Sequence, residues 1–181
     1  MREIKLQNID ICRQMLVLVK DLYFNSFPPE ERRSWESVKQ LLQADSTAYD
    51  LKVVLLNDKF AGFISFWLFG DFCYVEHFAV DSQLRGNGIG AEAIRHFVAQ
   101  CGCPVVIEVE LPQEGEMARR RIDFYKRNGF VEHRDFKYIQ PPYDKGLSSL
   151  PLMLMTANAP HDISLQHVSK CLHRDVYGVK D

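Results

Sequence analysis

The 181-residue sequence predicts a mixed α/β domain of the α+β kind, a central and mostly antiparallel sheet flanked by helices. Three observations predict it. Strongly apolar runs at 51–56, 60–69 and 72–80 are separated only by short polar turns. A glycine-rich loop at 81–90 then feeds straight into an amphipathic stretch. Further on, a helical pattern ends at Asn128-Gly129, a favourable left-handed terminus, and two more strand-like runs follow.

In chain order, Asp10 is placed to cap a helix from Ile11 to about Asn25, with Ile11, Met15, Leu18, Val19 and Leu22 near one face. Phe27-Pro28-Pro29 ends it, and the two prolines suit the first turn of a second helix with Trp35, Val38, Leu41 and Leu42 as its apolar stripe. The pair is expected to lie over the domain as a surface lid. The three apolar runs read as antiparallel strands, and their hydrophobicity implies that both sheet faces are covered. Ala93, Ile94, Phe97 and Val98 give the helix that does so on one side, Val105 to Val109 a β-branched strand, and Met117 to Asn128 a further helix. Phe130 to Ile139 and Leu150 to Thr156 read as closing strands.

With 46% hydrophobic residues, the chain has enough apolar material for one core and is too short for two typical domains. A single domain over 1–181 is expected, with 158–181 as a C-terminal helical extension. Ile163, Val168 and Leu172 suit packing either back on the domain or against a second copy in a homodimer. A formal charge of -2 gives little reason to expect nucleic acid or a membrane surface as partner. The charged start and the lack of a long apolar run point to a cytoplasmic protein. Five cysteines without secretory context read as free thiols, and Cys101-Gly-Cys103 lacks the second pair that a zinc site needs, so no metal is expected.

The sharpest chemical signal is Gln83-Leu-Arg85-Gly86-Asn87-Gly88-Ile89-Gly90. Glycines let the backbone approach a ligand closely, the helix start presents unpaired amides, and Arg85 adds a cation, so the segment suits a diphosphate. A dinucleotide fingerprint is disfavoured because an antiparallel meander precedes the loop where a βαβ unit would be needed. A P-loop is disfavoured because no Gly-Lys-Ser/Thr follows.

The segment Arg85 to Gly90 resembles the acyl-CoA loop of the GNAT superfamily of N-acyltransferases. The stretch Arg121-Ile-Asp-Phe124-Tyr125-Lys-Arg-Asn-Gly129-Phe130 is similar to that family's helix-to-strand motif. Together with the strand order, the resemblance covers about Tyr49 to Thr156. It implies a sheet that splays between its fourth and fifth strands, acetyl-CoA (coenzyme A) as cosubstrate, and no metal. By the same carry-over, Arg85, Gly86, Asn87, Gly88, Ile89 and Gly90 bind the diphosphate, Phe78, Ala79 and Val80 face the pantetheine arm, and Phe124 adjoins it. Tyr125 is the implied proton donor to the leaving thiolate.

Glu76 is the first choice of general base and His77 the alternative, while a mechanism with no enzyme base stays open. Strand alternation puts Glu76, Phe78 and Val80 on one face and Val75, His77 and Ala79 on the other. Glu108 and Glu110, across the implied splay, suit binding of an acceptor amine. The function implied is direct transfer of an acetyl group to a primary amine of a small molecule or peptide. A catalytically weak acyl-CoA sensor is the alternative. The first two helices and the loop from Pro141 to Ser149 are expected to choose the acceptor.

Overall fold

A computed structural model describes residues 2–44, 48–160 and 163–180. The sheet begins with a strand that the charged N-terminal residues concealed. β1 (Ile4–Asn8) pairs antiparallel with β2 (Tyr49–Leu56), placing Ile4 opposite Leu56 and burying it. β2 turns back into β3 (Lys59–Leu68) through Asn57 and Asp58, both at positive φ, as a two-residue hairpin turn requires. β4 (Cys73–Val80) completes the antiparallel meander.

The first helical region departs from the pattern read in the sequence. Residues Ile9–Met15 form a 3-10 helix, and α1 spans only Leu16–Ser26. Three residues per turn in the lead-in change the phase of the apolar stripe. Val19 and Tyr23, one α-helical turn apart, are buried, whereas Leu18 is 46% exposed; the side chain of Ile11 lies outside the described residues. Pro29–Glu31 make a separate short 3-10 turn, and α2 (Trp35–Gln43) starts later, capped by Ser34, whose hydroxyl accepts from the Ser37 amide. Val19, Tyr23 and Val38 belong to the main core, so these helices close one sheet face where a surface lid was expected.

α3 (Ile89–Cys101) and α4 (Glu116–Arg127) cover the opposite face, burying Ile89, Ala93, Ile94, Phe97 and Ile122. β5 (Val105–Glu110) lies parallel to β4 and antiparallel to β8 (Leu150–Ala157). The single closing strand expected at 130–139 is two short ones, β6 (Val131–Glu132) and β7 (Tyr138–Gln140), both along the outer edge of β8. α5 (Leu165–Cys171) and the wider turn Leu172–Val176 return the C-terminal segment to the α1/α2 face, where Val168, Leu172 and Val176 are buried. Among the described residues, no helix is long and apolar enough to cross a membrane.

Two irregularities of β4 position everything that follows. Its pairing with β5 covers only Cys73–Val105, Tyr74–Val106 and Val75–Ile107, after which the strands part. Its register with β3 also slips between Ser65–His77 and Phe66–Val75, so Glu76 is the extra residue of a β-bulge. Alternation fails there. Glu76 and His77 both turn toward the α1/α2 side, while Phe78 and Val80 pack toward α3 and α4, which corrects the grouping of Glu76 with Phe78 and Val80.

Gly62 allows β3 to approach β4 closely, since a Cβ built on it would stand 2.3 Å from the Ala79 carbonyl oxygen. Gly62→Ala is therefore expected to lower stability by about 1–3 kcal/mol or more in urea unfolding, because backbone must shift to admit one methyl.

Candidate active site

Where β4 and β5 part, a cleft of about 880 Å³ opens, floored by the sheet and walled by α3 and α4. Its first wall is the loop after β4. Asp81 caps the turn Ser82–Leu84 by accepting from the Gln83 amide, and Arg85 Nε donates to the Val80 carbonyl at 2.9 Å. Gly88, at φ 75°, is the N-cap of α3 and supplies no capping side chain. The first amides of α3 therefore point outward without intrahelical partners, an arrangement that attracts anions. Arg2 closes the loop from outside by donating to the Asn87 carbonyl and pairing with Glu92, a role that nothing in the sequence flagged.

Gly90 lies on the cleft floor, where an added Cβ would stand 3.5 Å from Val80 and 3.6 Å from both Phe78 and Phe124. The structure thus brings together four of the residues assigned to acyl-CoA from sequence. Ala79 differs, with its side chain buried in the core on the opposite face. Its carbonyl points at β3, so alternation turns the backbone groups of Phe78 and Val80 toward the open side.

Tyr125 projects from α4 into the same cleft, its ring edge-on to Phe124 and Phe130 with both centroids 5.2 Å away. Its hydroxyl makes no hydrogen bond to a described residue. Burial pushes the phenol up to about 12, against the opposing influence of Arg121. It is thus protonated at neutral pH and able to donate. Asn128 fixes the end of this helix by donating to the Phe124 carbonyl at 2.7 Å and accepting from Arg95 of α3 at 2.9 Å. Arg121 reaches back to Glu110 on β5, tying α4 to the far side of the splay.

The acidic groups of the cleft occupy different environments. The Glu76 side chain is fully buried and accepts from Arg33 Nε and Trp67 Nε1, each at 2.8 Å. Burial alone would raise its carboxyl, but Arg33, His77, Trp67 and Tyr143 outweigh that and hold it below the usual range. His77 is pushed down by burial; its Nε2 donates to the Glu31 carbonyl at 2.9 Å, which leaves Nδ1 to accept from Ser65. Both ring nitrogens are occupied.

Glu108 is the contrasting case. Its Oε2 accepts from Tyr74 at 2.8 Å and Tyr177 at 2.7 Å, and its Oε1 accepts from Tyr138. Burial raises it to about 7 despite the three phenols, and the nearby Glu76 adds to the rise. Glu31 at the mouth is also raised, by burial and then by the charge of Glu110.

Arg33, Trp67, Tyr74, Tyr138, Tyr143 and Tyr177 were not singled out in the sequence. They come from six separate stretches of chain and converge only through the sheet, so no local motif marks them. Among the described residues, no group of three or more His, Cys, Asp or Glu side chains is placed to hold a metal ion.

Comparison with known proteins falls on this same frame. The profile of the acetyltransferase (GNAT) family matches residues 15–130. A Bacteroides thetaiotaomicron protein assigned to the GNAT acetyltransferases superposes with a TM-score of 0.87 at 35% identity, covering 98% of this chain and 99% of its own. Arabidopsis thaliana Naa50 in complex with the bisubstrate analogue CoA-Ac-MVNAL gives 0.62 at 20% identity, over 86% and 99%. A GNAT family acetyltransferase from Elizabethkingia anophelis with acetyl-CoA bound gives 0.55 at 15%, over 87% and 98%. The last two likenesses are of fold alone. No curated protein matches significantly by sequence.

The Glu76–Arg33 pair carries a stability prediction. Glu76→Ala leaves a guanidinium buried without its counter-charge, so unfolding in urea is expected to show a loss of about 3–5 kcal/mol; a loss below about 1 kcal/mol would mean that the pair is solvated.

Proposed function

Since the chain belongs to the GNAT acetyltransferase family and is thereby an acyltransferase, we propose that it moves the acetyl group of acetyl-CoA directly to a primary amine of a small molecule or peptide. The observation that carries this reading is the cleft itself. One β4 edge left unpaired beyond Val75 meets a helix start with unsatisfied amides, and a protonated tyrosine and buried carboxylates stand between them. The acetyl-CoA held by the Elizabethkingia protein and the bisubstrate analogue held by the Arabidopsis one support the choice of donor.

In this reading the amides from Gly86 to Gly90 take the diphosphate, with Asn87 shaping the loop, Arg85 bracing it through Val80, and Ile89 buried beneath. Phe78 and Val80 offer strand edge to the pantetheine arm, Ala79 between them is turned to β3, and Phe124 packs beside the arm. Backbone N–H groups on the same edge stabilise the oxyanion as the amine attacks. The thiolate leaves with a proton from Tyr125.

Glu76 borders the acceptor pocket, but its pairing with Arg33 weighs against proton uptake and favours a bracing role. We assign the proton acceptor to Glu108, which lines the cleft and whose carboxyl is raised by burial to about 7, a value suited to proton exchange at physiological pH. Cys73 is fully buried, and its hydrogen bond with Cys101 followed by burial pushes the thiol up, which disfavours a covalent acyl-cysteine route. The acyl-CoA sensor finds no support among the relatives. We further take the chain to work as one domain, with 158–181 docked on it.

The test is release of CoA from acetyl-CoA across a panel of primary amines. Amine-dependent release is expected, and Tyr125→Phe, which preserves the ring packing, is expected to lower kcat about 100-fold with little change in the KM for acetyl-CoA. Near-normal turnover by folded Tyr125→Phe would remove the acid role.

A further inference from the structure

Two consecutive residues of the C-terminal segment reach the acceptor side of the cleft. Arg33 Nη2 donates to the Val176 carbonyl at 2.6 Å, and the Tyr177 hydroxyl donates to Glu108 Oε2 at 2.7 Å. The Arg33 guanidinium that grips Val176 is the one that Glu76 holds at 2.8 Å, and it also lies over the Tyr143 ring at 4.9 Å. Tyr177 in turn stands 3.2 Å from the Tyr74 hydroxyl and 5.0 Å, ring to ring, from Tyr143. Val168, Leu172 and Val176 bury the preceding turns in the main core, so the segment is seated by packing as well as by these polar anchors.

We propose that Tyr177 is a positioning residue for acetyl transfer: the C-terminal segment, braced through Glu76, Arg33 and the Val176 carbonyl, completes the pocket that holds Glu108 toward the incoming amine. This deepens the assignment of Glu108 as proton acceptor and rests on it.

The acceptor capacity of the carboxylate supports the proposal. A carboxylate has about four lone-pair positions. Three are taken by Tyr74, Tyr138 and Tyr177, leaving one for the proton of the amine. Without Tyr177, Oε2 loses the shorter of its two hydrogen bonds, and the carboxylate is free to turn away or admit water.

The titratable groups facing Glu108 are Tyr74 and Glu76 on β4, Tyr138 on β7, Tyr143 in the 141–149 loop, and Tyr177 in the tail, while its partner on β8 is the apolar Leu154. Burial and the charge of Glu76 raise its carboxyl, whereas the three hydrogen-bonding phenols lower it. The contribution of Tyr177 therefore has a definite sign. It favours the ionised form, and deleting it must raise the titration midpoint.

The experiment is a ¹³C NMR titration of the Glu108 side-chain carboxyl in the full chain, its signal assigned by its loss in Glu108→Gln. The wild-type midpoint is expected near 7. Tyr177→Phe is expected to move it up by about one unit, and site-specific 2,3-difluorotyrosine at 177, a stronger hydrogen-bond donor of nearly the same shape, is expected to move it down. The difluorotyrosine arm keeps the test intact should the phenylalanine variant fold poorly. If neither replacement moves the midpoint, the positioning role of Tyr177 is overturned while Glu108 stands. A wild-type midpoint near the ordinary 4.3 would instead overturn the proton-acceptor assignment beneath it.

Discussion

The parting of β4 from β5 after the Val75–Ile107 pair is the constraint on which the rest of the structure depends. A fully zipped parallel pair would satisfy the β4 edge and bury it. Because pairing stops, the backbone groups of Phe78 and Val80 face a gap, and Glu108 and Glu110 stand across it from the start of α3. Gly90 extends the same logic by packing against Phe78, Val80 and Phe124, while Gly86 and Gly88 supply the positive φ that turns the loop into α3.

Holding two strands apart within a packed core requires polar groups with fixed partners. On one side Glu76 is ion-paired with Arg33 and accepts a hydrogen bond from Trp67, which keeps a charged carboxylate tolerable at zero exposure. On the other, Glu108 has neutral phenols as its hydrogen-bond donors, and burial with the nearby charge of Glu76 outweighs them, so its proton is held more tightly. Two carboxylates in one pocket are thus driven to opposite behaviour by their partners, one a fixed anion and the other able to exchange a proton near neutrality.

Much of this was readable from local pattern. The turn at Asn57-Asp58, the glycines of the α3 loop, and the Asn128-Gly129 terminus are short-range signals, and each marks the element that the structure contains. What escaped was set at longer range or by irregular backbone. β1 is five residues with a single fully buried side chain, too weak a pattern to separate from a charged terminus. The phase of α1 is shifted by a 3-10 lead-in, and the facing of Glu76 is set by a bulge defined only by β3. Arg33 meets Val176 across 143 residues and Tyr177 meets Glu108 across 69, separations at which sequence spacing carries no information.

The central claim, that an acyl-CoA lies in the gap between the splayed strands with its diphosphate on the start of α3, is tested most directly by ¹⁵N amide NMR of the full chain titrated with CoA. Saturable shifts concentrated at residues 78–80 and 86–91 are expected. Shifts confined to other surfaces, or none at saturating CoA, would contradict the claim.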